Sequence, residues 1–374
     1  MSTDSDYSVV LTHPSRLDPP LAHALDALAA DALEPNVFNE SWMLDAALQH
    51  LKTPPLSLVL VHHRSDGLTG AFPLELARYR GSSIRSLRSW RHEYLFLSTP
   101  PISRRHAAGT LGALLDWSAS RQSPAPILEL DAVRADGPFC EVLKSVLADR
   151  PSFATDISTY ERALLDLRAD VETGLSHKHE KDLRRQERRL ADLGAMEYRT
   201  LAAEATAEEW VERFLALETR GWKGEEGTAL ASDTGSRAYF LAITKEAHRL
   251  GRLQMLELTL DGVPVATKCN FVAGEGSFAF KIAHDEQYAK QSPGVLLELF
   301  NMRYVAETRP DVAWMDSCAK AQHFMINRLW TGHRTIGNYA ICGRNPIARA
   351  LVRHRPRIAR ARAAMRALLG RHRA

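Results

Sequence analysis

A chain of 374 residues, 45% hydrophobic and 25% charged, has the balance of a folded globular protein and the length for about two domains. Four scattered cysteines form no Cys-x-x-Cys pair, which argues against a zinc ribbon or a disulfide framework and for reduced thiols and no metal. No apolar run reaches the roughly 18 residues of a membrane-spanning helix, and the polar start, MSTDSDYSVV, lacks the features of a secretion signal; a cytoplasmic location is expected.

In chain order, a short strand is expected at Ser8–Thr12, then helices over Pro20–Ala32 and Met43–Lys52. Three β-rich runs follow at Leu56–Val61, Leu68–Arg78 and Ile84–Ser89, the first two joined by the turn Ser65-Asp66-Gly67. The aromatic, turn-rich segment Trp90–Pro101 leads to a helix over His106–Ser120, a strand at Ile127–Leu130, a helix at Phe139–Ala148 and a strand at Thr159–Leu164. This alternation predicts an α/β protein with a mixed sheet.

Residues 171–194 change character. The stretch HKHEKDLRRQERRLADLG is dense in both charges, with Leu175, Leu183 and Leu190 as its regular apolar points, and Gly194 ends it. It reads as a solvated connecting helix. Its basic groups also suit an anionic substrate or a nucleic acid, although no aromatic residues are interleaved for base stacking.

A second α/β set follows: a strand at Ala195–Thr200, a helix at Thr206–Thr219, the glycine-rich loop Gly221–Ala229, and a long helix at Ser232–Leu250. Strands at Leu253–Leu260, Val263–Val272 and Ser277–Ala283 are joined by tight turns, one of them Asp261-Gly262, a strong hairpin signal. A helix from Gly294, a strand at Val312–Asp316, a helix at His323–Trp330 and a strand at Arg334–Asn338 complete the set.

The stretch Gly276–Arg303 carries the chemistry. Phe278, Phe280 and Ile282 alternate as on a half-buried strand, a polar loop spans His284–Ser292, and Pro293-Gly294 opens an apolar helix. A strand that feeds a helix N-terminus through a glycine-containing turn is a natural anion cradle, because free backbone N–H groups and the helix dipole point to one spot. An ordinary strand–turn–helix joint would have the same spacing.

Taken with Phe38…Ser41-Trp42, Trp90…His92…Tyr94, Leu217-Glu218…Gly221-Trp222-Lys223-Gly224…Gly227-Thr228-Ala229, Gly251-Arg252-Leu253, Asp261–Ala266 and Lys281…Asp285…Tyr288…Ser292-Pro293-Gly294, the chain resembles the CelD-like (cellulose-biosynthesis-protein-like) acetyltransferases of the GNAT superfamily, relatives of the Fem peptidoglycan aminoacyltransferases. The resemblance covers about residues 36–340 and rests on order and spacing, not on one motif. It implies tandem GNAT-like domains: a degenerate one over 1–170, a connecting helix over 171–194, the acyltransferase domain over 195–342, and a separate tail over 343–374.

The superfamily pattern Q/R-x-x-G-x-G/A falls on Gln291-Ser-Pro-Gly294-Val-Leu296, with Leu296 where a small residue is asked for. The resemblance implies acetyl-CoA or another acyl-CoA as co-substrate, held by Gln291, Ser292, Gly294, Val295 and Leu296, with Phe280 and Ile282 lining a splayed strand. It implies direct transfer, for which a base, an oxyanion donor and an acid are needed. Glu218, His284, Asp285 and Asp316 are the catalytic candidates, and Trp222, Lys223, Lys281 and His323 the substrate-side ones. Cys318 would matter only for an acyl-enzyme route.

Residues 344–374 hold ten arginines and no acid, with Ile347, Leu351, Val352, Ile358, Met365, Leu368 and Leu369 as apolar points. The tail suits an anionic partner or the inner-membrane surface, or a solubilising extension. The expected function is acyl transfer to a polysaccharide, amino-sugar or other cell-envelope acceptor. Aminoacyl transfer from aminoacyl-tRNA and a non-catalytic subunit of a polysaccharide-synthesis system are the alternatives.

Overall fold

The computed structural model describes residues 6–168, 174–221, 224, 226–321, 323, 325–343 and 345–354. The chain runs through one order of elements twice. The first pass is β1 (Tyr7–Thr12), α1 (Pro19–Ala30), α2 (Ser41–His50), β2 (Ser57–His63), β3 (Gly67–Arg78), β4 (Arg85–Ser89), α3 (Ala107–Ser118), β5 (Ile127–Arg134), α4 (Pro138–Ala148) and β6 (Ala154–Asp166). The charged helix α5 (His177–Ala191) follows. The second pass is β7 (Met196–Thr200), α6 (Ala207–Arg220), α7 (Thr234–Arg249), β8 (Leu253–Leu260), β9 (Val263–Ala273), β10 (Gly276–His284), α8 (Pro293–Thr308), β11 (Trp314–Asp316), the short helix α9 (Ile326–Leu329) and β12 (Gly332–Cys342).

All of these strands join one sheet of twelve, in the order β1-β2-β3-β4-β5-β12-β6-β11-β10-β9-β8-β7. Neighbours are antiparallel except β4 with β5 and β10 with β11. The two passes meet through an exchange of their last strands. β12 pairs with β5, and β6 pairs with β11, while β6 and β12 pair with each other along their whole length. The fold is the expected mixed α/β, and the sheet runs unbroken across residue 170.

β6 and β12 are longer than the expected Thr159–Leu164 and Arg334–Asn338. Charged residues inside them hide the β pattern. Two of these, Arg162 and Arg334, are 2% and 1% exposed, because they close on Asp316, as described below. The helix expected over His323–Trp330 is confined to Ile326–Leu329.

The largest core layer gathers α1, α2, α6 and α7 against the sheet around Phe214, Tyr239, Phe240, Phe271 and Phe278. On the opposite face of the second half, α8 packs on β8 and β9 through Leu296, Leu297, Leu256, Leu258 and Val265. Leu190 of α5 is fully buried in that layer and Leu183 packs against it, so α5 is anchored along one edge while its charged side stays in water. Under α8 lies a buried polar chain. Lys268 Nζ is 2.8 Å from Glu298 Oε2, the Asn301 amide donates to Glu298 Oε1 at 3.0 Å, and the Asn270 amide donates to Asn301 at 2.9 Å. Pairing at both ends makes burial of these charges tolerable.

Candidate active site

The site begins where β10 and β11 part. They are paired only between Gly276–Phe278 and Trp314–Asp316. Beyond Asp316 the chain leaves the sheet through Cys318, whose φ of 52° is left-handed, and the Cys318 N–H is held by Asp316 Oδ1 at 2.9 Å. The stretch Ala279–His284 of β10 continues with β9 as its strand partner and an open edge on the β11 side. That edge is a wedge-shaped opening in the sheet.

A bulge refines which side chains face it. Ala279 lies opposite Asn270, but Lys281 lies opposite Cys269, so Phe280 is the extra residue. The bulge reverses the alternation beyond it. Phe280 stays with the inner aromatic layer, with ring centroids 5.1 Å from Phe271 and 5.9 Å from Phe240. Ile282 and His284 sit opposite Lys268 and Ala266, on the α8 side. The expectation that Phe280 and Ile282 share a face therefore fails, and Phe280 supports the site from behind.

A cavity of about 360 Å³ occupies the wedge, lined by Glu218, Gly221, Ile282, Ala283, His284, Ala289, Ser292, Gly294, Val295, His323 and Met325. This is in the size range of small-molecule pockets. α8 starts at its edge. Ser292, the residue before Pro293, is left-handed at φ 52°, ψ 48°, a conformation that costs a non-glycine residue free energy and is often kept at functional turns. Its carbonyl accepts from the N–H groups of Val295 and Leu296 at 3.0 and 3.1 Å, and its own N–H donates to Ala289. The backbone N–H groups of Ser292, Val295 and Leu296 are thus engaged, and among the described residues that of Gly294 has no such partner. A Cβ on Gly294 would stand 3.4 Å from His284 Nδ1, in van der Waals contact with the ring. Gln291 adds a side-chain oxygen that is shielded from solvent without a hydrogen-bond partner.

Leu296 does not intrude. It is 3% exposed and points into the Leu256–Leu258–Val265 layer, so its departure from the small-residue pattern leaves the cradle open.

On the other side the cavity is lined by Glu218 and Gly221, at the end of α6. Glu218 is 2% exposed; its Oε2 accepts from Leu230 N–H at 2.8 Å, and its Oε1 is 3.7 Å from Lys281 Nζ. The Lys281 ammonium lies 5.1 Å from the centre of the Tyr94 ring, a cation–π contact. Tyr94 stacks on Tyr239 at 5.5 Å, and burial pushes its phenol far above its ordinary pKa. Beside it His92 is pushed down to about 4 by burial and by Arg91, so it is neutral at pH 7. The sequence shows Tyr94 as part of an aromatic, turn-rich segment, but not its placement beside Lys281.

The other candidates separate. His323 lines the cavity, and burial lowers its pKa. Asp285 caps the turn after β10 by accepting from Gln287 N–H at 2.9 Å, and it is not a cavity-lining residue. Asp316 is fully buried between Arg162 and Arg334, each 2.7 Å from Oδ2. Burial alone would raise its pKa, but the two guanidiniums outweigh it and hold the carboxyl down at about 2. That makes Asp316 a structural anion and a very weak base. Burial pushes the neighbouring Cys318 thiol up, with Asp316 adding to the effect, which disfavours an acyl-enzyme through this sulfur. Trp222 and Lys223 lie outside the described residues.

Residues 177–324 match the acetyltransferase (GNAT) domain family. A comparison with curated proteins finds no match. Among solved structures, FemX aligns with a TM-score of 0.54 at 10% identity, covering 87% of this chain and 96% of that one. L-PGS from Bacillus licheniformis aligns at 0.52 and 11%, covering 90% and 96%. The C-terminal domain of a putative lysylphosphatidylglycerol synthetase from Agrobacterium fabrum aligns at 0.50 and 12%, covering 88% and 93%. At such identities the structures share the fold. The domain match supports an acyltransferase of the GNAT type.

Proposed function

We propose that the chain transfers an acyl group from acyl-CoA directly to an amine or hydroxyl of a cell-envelope or exopolysaccharide-related acceptor, as its CelD-like resemblance suggests. The observation that carries this reading is the open β10 edge ending at the free N–H of Gly294, a slot with an anion cradle at one end. In this reading the diphosphate of CoA sits at Gly294, the pantetheine arm lies along Ile282–His284, and the thioester points toward Glu218. His284 and Glu218 share the cavity and are the groups placed to take a proton from the nucleophile.

Binding of acetyl-CoA to the folded state should raise the melting temperature by mass action. Replacing Gly294 by Val should remove that rise, since a branched side chain would press on His284 and fill the cradle. No rise at millimolar acetyl-CoA, or an unchanged rise in Gly294→Val, would overturn the assignment of the slot.

Aminoacyl transfer from tRNA is the second reading, favoured by the exposed basic side of α5 and by the FemX-like fold. A tRNA user should lose activity steeply with salt as phosphate contacts release counterions; a CoA user should lose little. The basic tail beyond residue 354 lies outside the described residues, and its suitability for an anionic membrane surface is part of this proposal. Among the described residues no helix is long and apolar enough to cross a membrane.

A further inference from the structure

The first half carries a cluster that the acyl-transfer site does not use. His63 ends β2, Asp66 sits on the β2–β3 turn, and His106 stands immediately before α3, the first-half counterpart of α8. His63 Nδ1 is 2.9 Å and His106 Nε2 3.1 Å from the same carboxylate oxygen, Asp66 Oδ2. One donor atom from each residue lies within 4.8 Å of the others. The two imidazoles face each other with centroids 4.4 Å apart.

His106 holds the N-cap position of α3, yet its side chain makes no capping bond. Its Nδ1 is 3.0 Å from the Tyr7 hydroxyl. Tyr7 reaches it because residue 109 is glycine: a Cβ there would stand 2.2 Å from the Tyr7 oxygen. Nε2 is shielded from solvent and has no hydrogen-bond partner of acceptable geometry. If Nδ1 gives its proton to Tyr7, Nε2 presents a lone pair to a carboxylate oxygen, an arrangement that repels unless something positive sits between them. Metal-bound histidines are commonly oriented in this way by a hydrogen bond at the other ring nitrogen.

We propose that His63, Asp66 and His106 bind a divalent transition-metal ion such as Zn²⁺, with Tyr7 orienting His106. Two imidazole nitrogens and one carboxylate oxygen are a donor set for zinc and its first-row neighbours, and a poor one for Ca²⁺ or Mg²⁺. Arg105 lines the adjoining cavity of about 350 Å³ together with Asp66 and His106, so charge attraction alone does not favour a hard cation. Ser65 Oγ, 3.2 Å from His63 Nδ1, is the group the ion would displace. Zinc binding would require the three side chains to close until each donor lies about 2.0–2.2 Å from one centre. The ion would pin the β2–β3 turn to the start of α3.

The test is zinc titration of the full-length, metal-stripped protein by calorimetry, with the melting temperature read in parallel. We expect one equivalent bound with a rise in melting temperature. Asp66→Asn, on an exposed turn where the fold is not at stake, should weaken binding at least tenfold, and Tyr7→Phe about 10- to 100-fold. His177→Ala with His179→Ala, on exposed α5, should leave the affinity unchanged. With Co²⁺ in place of zinc, visible absorption bands should appear in the wild type and be lost in His106→Asn. Failure of the wild type to bind zinc, or an unchanged affinity in Asp66→Asn, would overturn the proposal.

Discussion

Two acidic residues near the site have opposite environments, and the difference assigns their roles. Glu218 lines the cavity, with the Lys281 ammonium at 3.7 Å. Asp316 is sealed behind it between two arginines. Replacing Asp316 by Ala should destabilise the fold by about 3–5 kcal/mol, because Arg162 and Arg334 would be left buried without their counter-ion; chemical denaturation measures this. The ionised Asp316, with its pKa lowered from 3.8 to about 2, contributes stability that is complete above pH 4. As pH falls through 4 toward 2 the unfolded chain takes up the proton first, so that contribution is lost. In Asp316→Asn the acid transition over that window should be shallower. By contrast, Glu218→Gln and His284→Gln should leave the protein folded. One of them, the true base, should lower kcat by about 10²–10⁴-fold with little change in KM. If both retain full kcat, proton removal lies elsewhere.

At the scale of elements, the bulge at Phe280 decides the geometry of the slot. Strand, loop and helix over Gly276–Arg303 are legible from period and turn residues, as is the start of α8 at Pro293. The bulge is not, because an alternating run reads the same with or without one extra residue. Leu296 shows the same limit: its size is plain in the sequence, but only packing shows that it points away from the cradle. The partners of Asp316 were hidden for another reason. Arg162 and Arg334 come from strands far apart in the chain, and a charged residue within a β run reads as solvent-facing until its counter-ion is located. α5 is the converse case, in which the sequence suffices. Its charges face water and its spaced leucines mark the anchored edge. Converting Arg184, Arg185 and Arg188 to Gln should therefore change acetyl-CoA affinity less than twofold, while sharply weakening any tRNA binding in a filter assay.

At the scale of the whole molecule, the exchange of β6 and β12 ties the two passes into one sheet. A chain cut after residue 170 leaves the second pass without β6, exposing the free edges of β11 and β12, and leaves the first pass without β12 on β5. Each edge would present unpaired N–H and C=O groups along an apolar strand, an arrangement prone to aggregation. The buried ion cluster would be split as well, since Arg162 belongs to the first pass and Asp316 and Arg334 to the second. The contact of Tyr94 with Lys281 would also be lost, because Tyr94 belongs to the first pass and Lys281 to the second. The second pass expressed alone should therefore be insoluble or molten and fail to bind acetyl-CoA, although it contains the whole cradle. Co-expression of the two fragments should restore a soluble complex that binds it. Calorimetry of the intact chain should give a single transition, with calorimetric and van't Hoff enthalpies that agree. Two separated transitions, or a second pass that folds and binds acetyl-CoA alone, would mean that the exchanged strands are dispensable and that the halves are independent domains.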